Sequence, residues 1–255
     1  MIAASLPRRA VIGGGVATLV CSGPLRAAAV ENGALDLGET VVGSGFTVSL
    51  PTSYYRPKDS KGRTVLRPKT GIYDDTLLVA ADYASGRTAA VSRTTCDVLL
   101  RDAGEPEALV GPLSDLKELG RPARVAALLA RRRDGDPANL LPQPRTEVLS
   151  SARDGNELRF VLKEATYTAT STTKAAPSAR IVQGRAVFVP ASAERPASLL
   201  TAWAGSAAPS VQCVPTPCEP EGSLRFDCPA PKCETGGELP LDATDLAIVG
   251  SLRAT

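Results

Sequence analysis

Apolar and polar positions alternate most clearly at residues 45–59, GFTVSLPTSYYRPKD. Phe46, Val48 and Leu50 interleave with Thr47 and Ser49, the period-2 pattern of a half-buried strand. Pro51 ends it, because proline cannot donate to a sheet ladder. Before it, Glu31 to Val42 reads as a polar lead-in, and after it Lys58 to Lys69 is a charged loop with an apolar centre at Val65-Leu66. Leu77 to Ala81 reads as a second strand, and Gly86 to Ser92 as a third strand or a loop. Asp97 to Ala103 fits a short helix or a short strand.

The period then changes. Ser114 is placed to cap a turn that ends at Gly120, and Pro122 opens a helix in the first-turn position that proline tolerates. Val125, Leu128 and Leu129 share one face of it, and Arg131-Arg132-Arg133 close it as a solvated last turn, where cations complement the helix dipole. Beyond a Pro-rich connector, Thr146 to Ser150 and the Asp154-Gly155 hairpin signal lead into alternating Leu158, Phe160 and Leu162. Thr166 to Pro177 reads as a flexible loop, Arg180 to Val189 as a strand interrupted at Gly184, and Ser198 to Ala204 as the next strand. Leu241 to Ile248 forms a short helix capped by Asp242, and Val249 to Ala254 closes on the sheet. Antiparallel strands with helices before and after predict an α+β architecture.

The N-terminus carries an address. Arg8 and Arg9 precede an apolar run from Ala10 to Val20, and Ala27-Ala28-Ala29 follows Pro24. This is the order of a signal peptide, too short to span a bilayer, with the arginine pair and weak hydrophobicity of a twin-arginine type. It predicts a mature start near Val30. Seven residues before the arginines leave no room for an organelle transit peptide, so the expectation is a start late relative to the gene product or a prokaryotic source. Gly13-Gly14-Gly15 looks like a dinucleotide fingerprint, but Thr18 holds the third position and Pro24 cuts the helix. A lipoprotein reading would use Cys21, but Val20 before it is bulky.

Composition narrows the chemistry. The 255 residues are 43% hydrophobic and 4% aromatic, which predicts an aliphatic core. Removing the address leaves 26 basic against 27 acidic residues from a whole-chain charge of +2, and no basic stripe points to nucleic acid. There is no histidine, which excludes Ser-His-Asp and Cys-His catalysis and histidine-ligated metal. Ser114-Asp115-Leu116-Lys117 fits S-x-x-K and Lys69-Thr70-Gly71 fits K-T-G, but in the reverse of the penicillin-recognising order and without S-D-N. Catalytic residues are therefore expected to be none. Asp74-Asp75 and Glu105 with Glu107 read as solvated loop charges ahead of a divalent-cation site.

Several stretches together resemble the PsbP family of thylakoid lumenal proteins. They are GFTVSLPTSYYRPKD at 45–59, PLSDLKELGRPARVAALLARRR from Pro112 to Arg133, the strands DGNELRFVLKEATY, ARIVQGRAVFV and SLLTAWAGSA, and the end LDATDLAIVGSLRAT. The resemblance spans most of residues 44–255, after a signal at 1–29 and a lead-in at 30–43. It implies an α/β/α sandwich around a central antiparallel sheet. It also implies a non-enzymatic, extrinsic protein in the chloroplast thylakoid lumen, or in the lumen or periplasm of a prokaryote. Such a protein associates with photosystem II and its oxygen-evolving complex, or assists photosystem assembly or stability, and the family implies calcium binding. The short segment Val30 to Val42 lacks the N-terminal extension of the oxygen-evolving member and favours a divergent PsbP-domain protein. The partners implied are photosystem lumenal subunits at the membrane surface. The docking candidates are Tyr54, Tyr55, Arg56 and Lys58.

Four cysteines depart from that family: Cys213 and Cys218, then nine residues, then Cys228 and Cys233, in an insertion at about 210–236. Two disulfides fit an exported chain, four thiolates fit a zinc clip, and reduced thiols are the third reading. Four cysteines allow three pairings. The nested spacing favours Cys213–Cys233 with Cys218–Cys228 as rungs of one hairpin. Cys96 reads as a small buried apolar residue. A protein of a different class, an exported thiol or metal module working through the Cys213–Cys233 hairpin, is the alternative. A periplasmic binding protein sharing only the fold is the third.

Overall fold

The computed structural model describes residues 37–56, 75–104, 113–134, 145–169, 175–208, 211–215, 231–235 and 241–255. They belong to a unit spanning Ala34–Thr255. The N-terminal segment expected to be an address, with Arg8 and Arg9, lies outside the described residues, as do Lys58, the K-T-G run, Asp74, Glu105, Glu107, Cys218 and Cys228.

A six-stranded antiparallel sheet forms the centre. Its strands are β3 (Asp75–Asp82), β4 (Arg87–Thr95), β5 (Arg145–Asp154), β6 (Glu157–Ala169), β7 (Ala175–Val189) and β8 (Ser198–Ala207), in the order β3-β4-β8-β7-β6-β5. The β5–β6 turn is tight: Asp154 pairs with Glu157, and Gly155 takes a positive φ of 53°. Alternation along β8 feeds both faces. Leu199 and Trp203 pack on one side, Leu200, Ala202 and Ala204 on the other.

Each face has its own cover. On one, α1 (Cys96–Asp102), a 3-10 turn (Leu116–Leu119) and α2 (Pro122–Asp134) bury Leu99, Leu116, Val125 and Leu129 against Leu158, Phe160 and Trp203. On the other, α3 (Ala243–Ser251) packs with a small sheet of β1 (Glu39–Gly43), β2 (Phe46–Leu50) and β11 (Arg253–Ala254). Phe46, Val48 and Leu50 meet Leu78, Leu200, Ile248 and Leu252 there. The fold is α+β about a central antiparallel sheet, as expected.

Several expectations change. The lead-in contains a strand, β1, because Glu39–Gly43 pairs residue for residue with β2. The strand expected at Phe46–Leu50 is present as β2, in the small sheet. The cap of the 3-10 turn is Asp115, one residue past Ser114; its carboxylate accepts from the Lys117 amide (2.8 Å), and Glu118 reaches back to the Ser114 and Asp115 amides. The Thr-rich run is strand as far as Ala169, and β7 restarts at Ala175, so Pro177 sits inside a ladder. It is tolerated because β8 pairs with β7 only from Arg180 onward, leaving Pro177 with a partner on one side.

Gly184 does not interrupt β7. It lies opposite Phe160, whose ring occupies the space a Cβ would need. The last segment stays helical to Ser251, and β11 joins the small sheet through β2. The arginines closing α2 are not one solvated turn. Arg132 pairs with Asp102 (2.5 Å), while Arg133 pairs with Glu164 and lies 4.8 Å from the centre of the Trp203 ring.

Candidate functional site

The chain leaving β2 turns at Pro51, whose carbonyl accepts from the Tyr54 amide at 3.1 Å. Extended backbone then sends successive side chains to opposite sides. Tyr54 points into the α3-side core and is 6% exposed, whereas Tyr55 is 53% exposed. Tyr55 is pinned to β3 by a two-bond bridge with Ala81, at 2.8 and 3.0 Å. Its ring lies 5.8 Å from that of Tyr83, 77% exposed on the β3–β4 turn. Asp82 shapes that turn, accepting from the Ala84 amide (3.0 Å) and the Ser85 hydroxyl (2.7 Å), and the Ser85 bond holds its carboxyl below the usual range. Arg56 is committed to Glu39 and is largely covered. Of the docking candidates described, Tyr55 alone stands open, with Tyr83 beside it. Tyr54 is a packing residue.

Behind this aromatic pair the first turn of α3 sits on a buried polar cluster. Asp242 caps the helix, accepting from the amides of Thr244 (2.8 Å) and Asp245 (3.2 Å). Arg87 of β4 donates to the Asp242 carboxylate (2.5 Å), and Gln183 of β7 donates to its carbonyl (3.0 Å). Arg180 of β7 donates to the Thr88 hydroxyl (2.7 Å) and the Gly205 carbonyl (2.9 Å). At the far end of the same helix, Arg185 donates to the carbonyls of Gly250 (2.7 Å) and Leu252 (2.9 Å) while paired with Glu157. The sheet thus holds α3 by an arginine at each end.

Asp245, in that first turn, has no solvent exposure, and neither carboxylate oxygen has a hydrogen-bond partner. The Tyr54 hydroxyl and the Gln183 side-chain carbonyl are also buried without one. Burial pushes the Asp245 carboxyl up to about 6, with the Asp242 charge adding to it. Ser206, Arg87 and Arg180 pull the other way, Ser206 without a well-formed hydrogen bond. Burial, then the Asp245 charge, pushes the Tyr54 hydroxyl up to about 12, and burial lowers the Arg180 value. Chemically this cluster can take up or release a proton. It is no cation cup: Arg87 already neutralises Asp242, and among the described residues no three His, Cys, Asp or Glu side chains gather.

The cysteine segment presents a two-stranded ladder of three residue pairs between β9 (Gln212–Val214) and β10 (Lys232–Glu234). Cys213 faces Cys233 across it and is bonded to it, so neither is a free thiolate for zinc. Cys233 is buried against Ala165, Ile181, Ala208 and Val211. Its carbonyl accepts from the Lys163 ammonium (2.8 Å), which Glu147 also holds at 2.7 Å. Cys96 is fully buried in α1, and burial pushes its thiol up to about 12, so it is an inert packing residue. The S-x-x-K pattern is absorbed by the 3-10 turn: the Ser114 hydroxyl donates to Glu118 (2.7 Å), and Lys117 pairs with its own cap, Asp115, at 3.6 Å.

Sequence reasoning missed Asp245, Arg87, Arg180, Gln183 and Tyr83. One signal existed. ARIVQGRAVFV places Arg180, Gln183 and Arg185 within a strand that needs two buried faces, and polar residues there imply a buried network. Nothing local marks Asp245, which reads as an ordinary acidic residue in a first helical turn.

No family model matches the chain, and no curated protein matches it.

Proposed function

We propose that this is an exported, non-catalytic PsbP-like domain that docks on the lumenal face of a photosystem and supports its assembly or stability. The observation that carries the reading is the Tyr55–Tyr83 pair: two exposed aromatic rings 5.8 Å apart, on backbone fixed by the Tyr55–Ala81 bridge. Rigid, exposed aromatic side chains are the commonest anchors of protein interfaces. The central antiparallel sheet covered on both faces agrees with the α/β/α sandwich that the PsbP resemblance implies. The chemistry of the described cluster supports a non-catalytic role, since Asp245 and Tyr54 are sealed from solvent. Calcium, implied by the same resemblance, would on this reading be held by the assembled complex, because Arg87 occupies Asp242.

The test is fractionation followed by pull-down. Antibody against the protein is expected to find it on thylakoid membranes, released by a salt or alkaline wash, and tagged protein is expected to capture photosystem lumenal subunits. A protein that stays soluble, and whose loss leaves photosystem levels unchanged, would overturn the proposal. The thiol-module alternative is weakened by the burial of Cys233 and its tie to Lys163, which suit a structural staple. Closing a loop of this separation, 20 residues, stabilises by about 3 kcal/mol. Under the docking reading, Cys213→Ser with Cys233→Ser lowers the melting temperature but leaves capture intact; loss of capture in the folded variant would favour the alternative.

A further inference from the structure

We propose that α3 is a proton-operated latch, seated when Asp245 is protonated and loosened when it is ionised. The latch is a property of the folded chain itself and holds whatever the docking partner is. Its basis is geometric: a carboxyl with no solvent exposure, in the first turn of a nine-residue helix, with no hydrogen-bond partner on either oxygen. An unpaired buried carboxylate is costly, and such a group takes a proton instead.

The groups around it come from every element of the cluster. They are Tyr54 after β2, Arg87 at the start of β4, Arg180 on β7, Ser206 on β8, and Asp242 on the helix's own cap, with Asp82 at the end of β3 acting on Tyr54. The β2 strand itself brings only Thr47 and Ser49 as polar side chains. The two guanidiniums are already engaged, Arg87 with Asp242 and Arg180 with Thr88 and Gly205. An ionised Asp245 must therefore either admit water or draw one arginine from its present bonds. Drawing Arg87 removes the charge partner of the helix cap.

The direction follows from the raised folded value, about 6. Below the ordinary aspartate range both folded and unfolded chains hold the proton, and the seating of α3 is at full strength. As pH rises through the ordinary range towards the folded value, only the unfolded chain has released it, and stability falls; above that value the loss is complete. Acidification of the surrounding compartment therefore tightens the helix.

The experiment uses the full chain. Carbon-detected NMR of the wild-type Asp245 carboxyl is expected to titrate with a midpoint near 6; a midpoint at or below about 4 overturns the latch. Asp245→Asn holds the neutral form at all pH values. Its α3 amides are expected to be protected from hydrogen exchange about a hundredfold more than the wild type's above the folded value, and equally below the ordinary aspartate range. Amides of α2 are expected to differ little between the two proteins. Equal protection of α3 in variant and wild type at neutral pH, or equal shifts in α2 and α3, would overturn it. If the variant does not fold, the wild-type titration decides alone.

Discussion

The two faces of the central sheet are both well covered, yet they treat buried charge differently. Against α1 and α2 the covered arginines of the last helical turn have anions: Arg132 has Asp102, and Arg133 has Glu164 and the Trp203 ring. Against α3 the charges outnumber their partners. Arg87 and Arg185 are matched, but Asp245 is left with no hydrogen bond, beside a Tyr54 hydroxyl in the same state. A face whose charges are paired keeps its packing near neutrality, and loses support only where acid protonates a paired carboxylate. A face holding an unsatisfied acid does not keep it there, because protonation changes the cost of keeping it closed. The difference separates a structural face from a responsive one, and it can be probed from either side.

The largest effect is expected on the structural face. Leu129 of α2 is 1% exposed and packs among Leu99, Val125 and Leu158. Leu129→Ala is expected to lower the unfolding free energy by about 3 kcal/mol, the usual cost of a large core truncation. Denaturant titrations at several pH values measure it, and the cost is expected to be the same in each. A cost that changes with pH would mean that the α2 face also carries an unsatisfied charge, and the contrast between the faces would fail.

That face was also the legible one. Val125, Leu128 and Leu129 fall on one side of a helix opened by Pro122, and the structure starts that helix at Pro122. Leu158, Phe160 and Leu162 alternate and are buried as alternation requires. Local periodicity sees these elements because one face of each is apolar. It does not see the α3 site, whose members come from β4, β7, β8, the β2 exit and the last helix. Asp245 becomes buried only because the chain returns to cover Leu200 and Ala204 with Ile248 and Val249. The same limit hid β1: its strand character comes from pairing with β2, while Glu39, Thr40 and Val42 are exposed and only Val41 packs against the core. Of the cysteine pairings left open, the outer rung is the one described, and it depended on the chain's return at β9 and β10.

A smaller effect is expected where the responsive face is held by a matched pair. Arg185 is buried, and it ties Glu157 to the C-terminal end of α3. Its hydrogen bond to Glu157, against an opposing cost of burial, holds that carboxyl below the usual range. A lowered folded value contributes stability that is present above the ordinary glutamate range and lost as pH falls through the folded value. The two ends of α3 therefore respond to acid with opposite signs: Glu157 loses support while Asp245 gains it. Arg185→Met is expected to cost about 2 kcal/mol near neutrality, from the orphaned Gly250 and Leu252 carbonyls. It is also expected to remove the acid-side fall that Glu157 causes, so that the Asp245 dependence stands alone. Thermal melts across pH read both. An unchanged acid-side slope would mean that Arg185 does not control Glu157.

The smallest effect on stability is expected at the most exposed residues. Tyr55→Ala with Tyr83→Ala removes two rings that touch each other and solvent, while the backbone bridge to Ala81 remains. The fold is expected to lose less than about 1 kcal/mol, the scale of an aromatic pair. On the docking proposal, photosystem capture is expected to fall at least about tenfold, as truncation of an aromatic anchor does. Tyr54→Phe, one residue away, reverses the pattern. Its hydroxyl is buried and unpartnered, so removing it leaves capture unchanged and slightly stabilises the helix side. Binding assays on the two variants separate a surface that recognises from a core that only supports it. If the double alanine variant binds as the wild type does, the aromatic pair is no docking surface and the proposal loses the observation that carries it; if Tyr54→Phe loses binding, recognition runs through the buried cluster rather than over it.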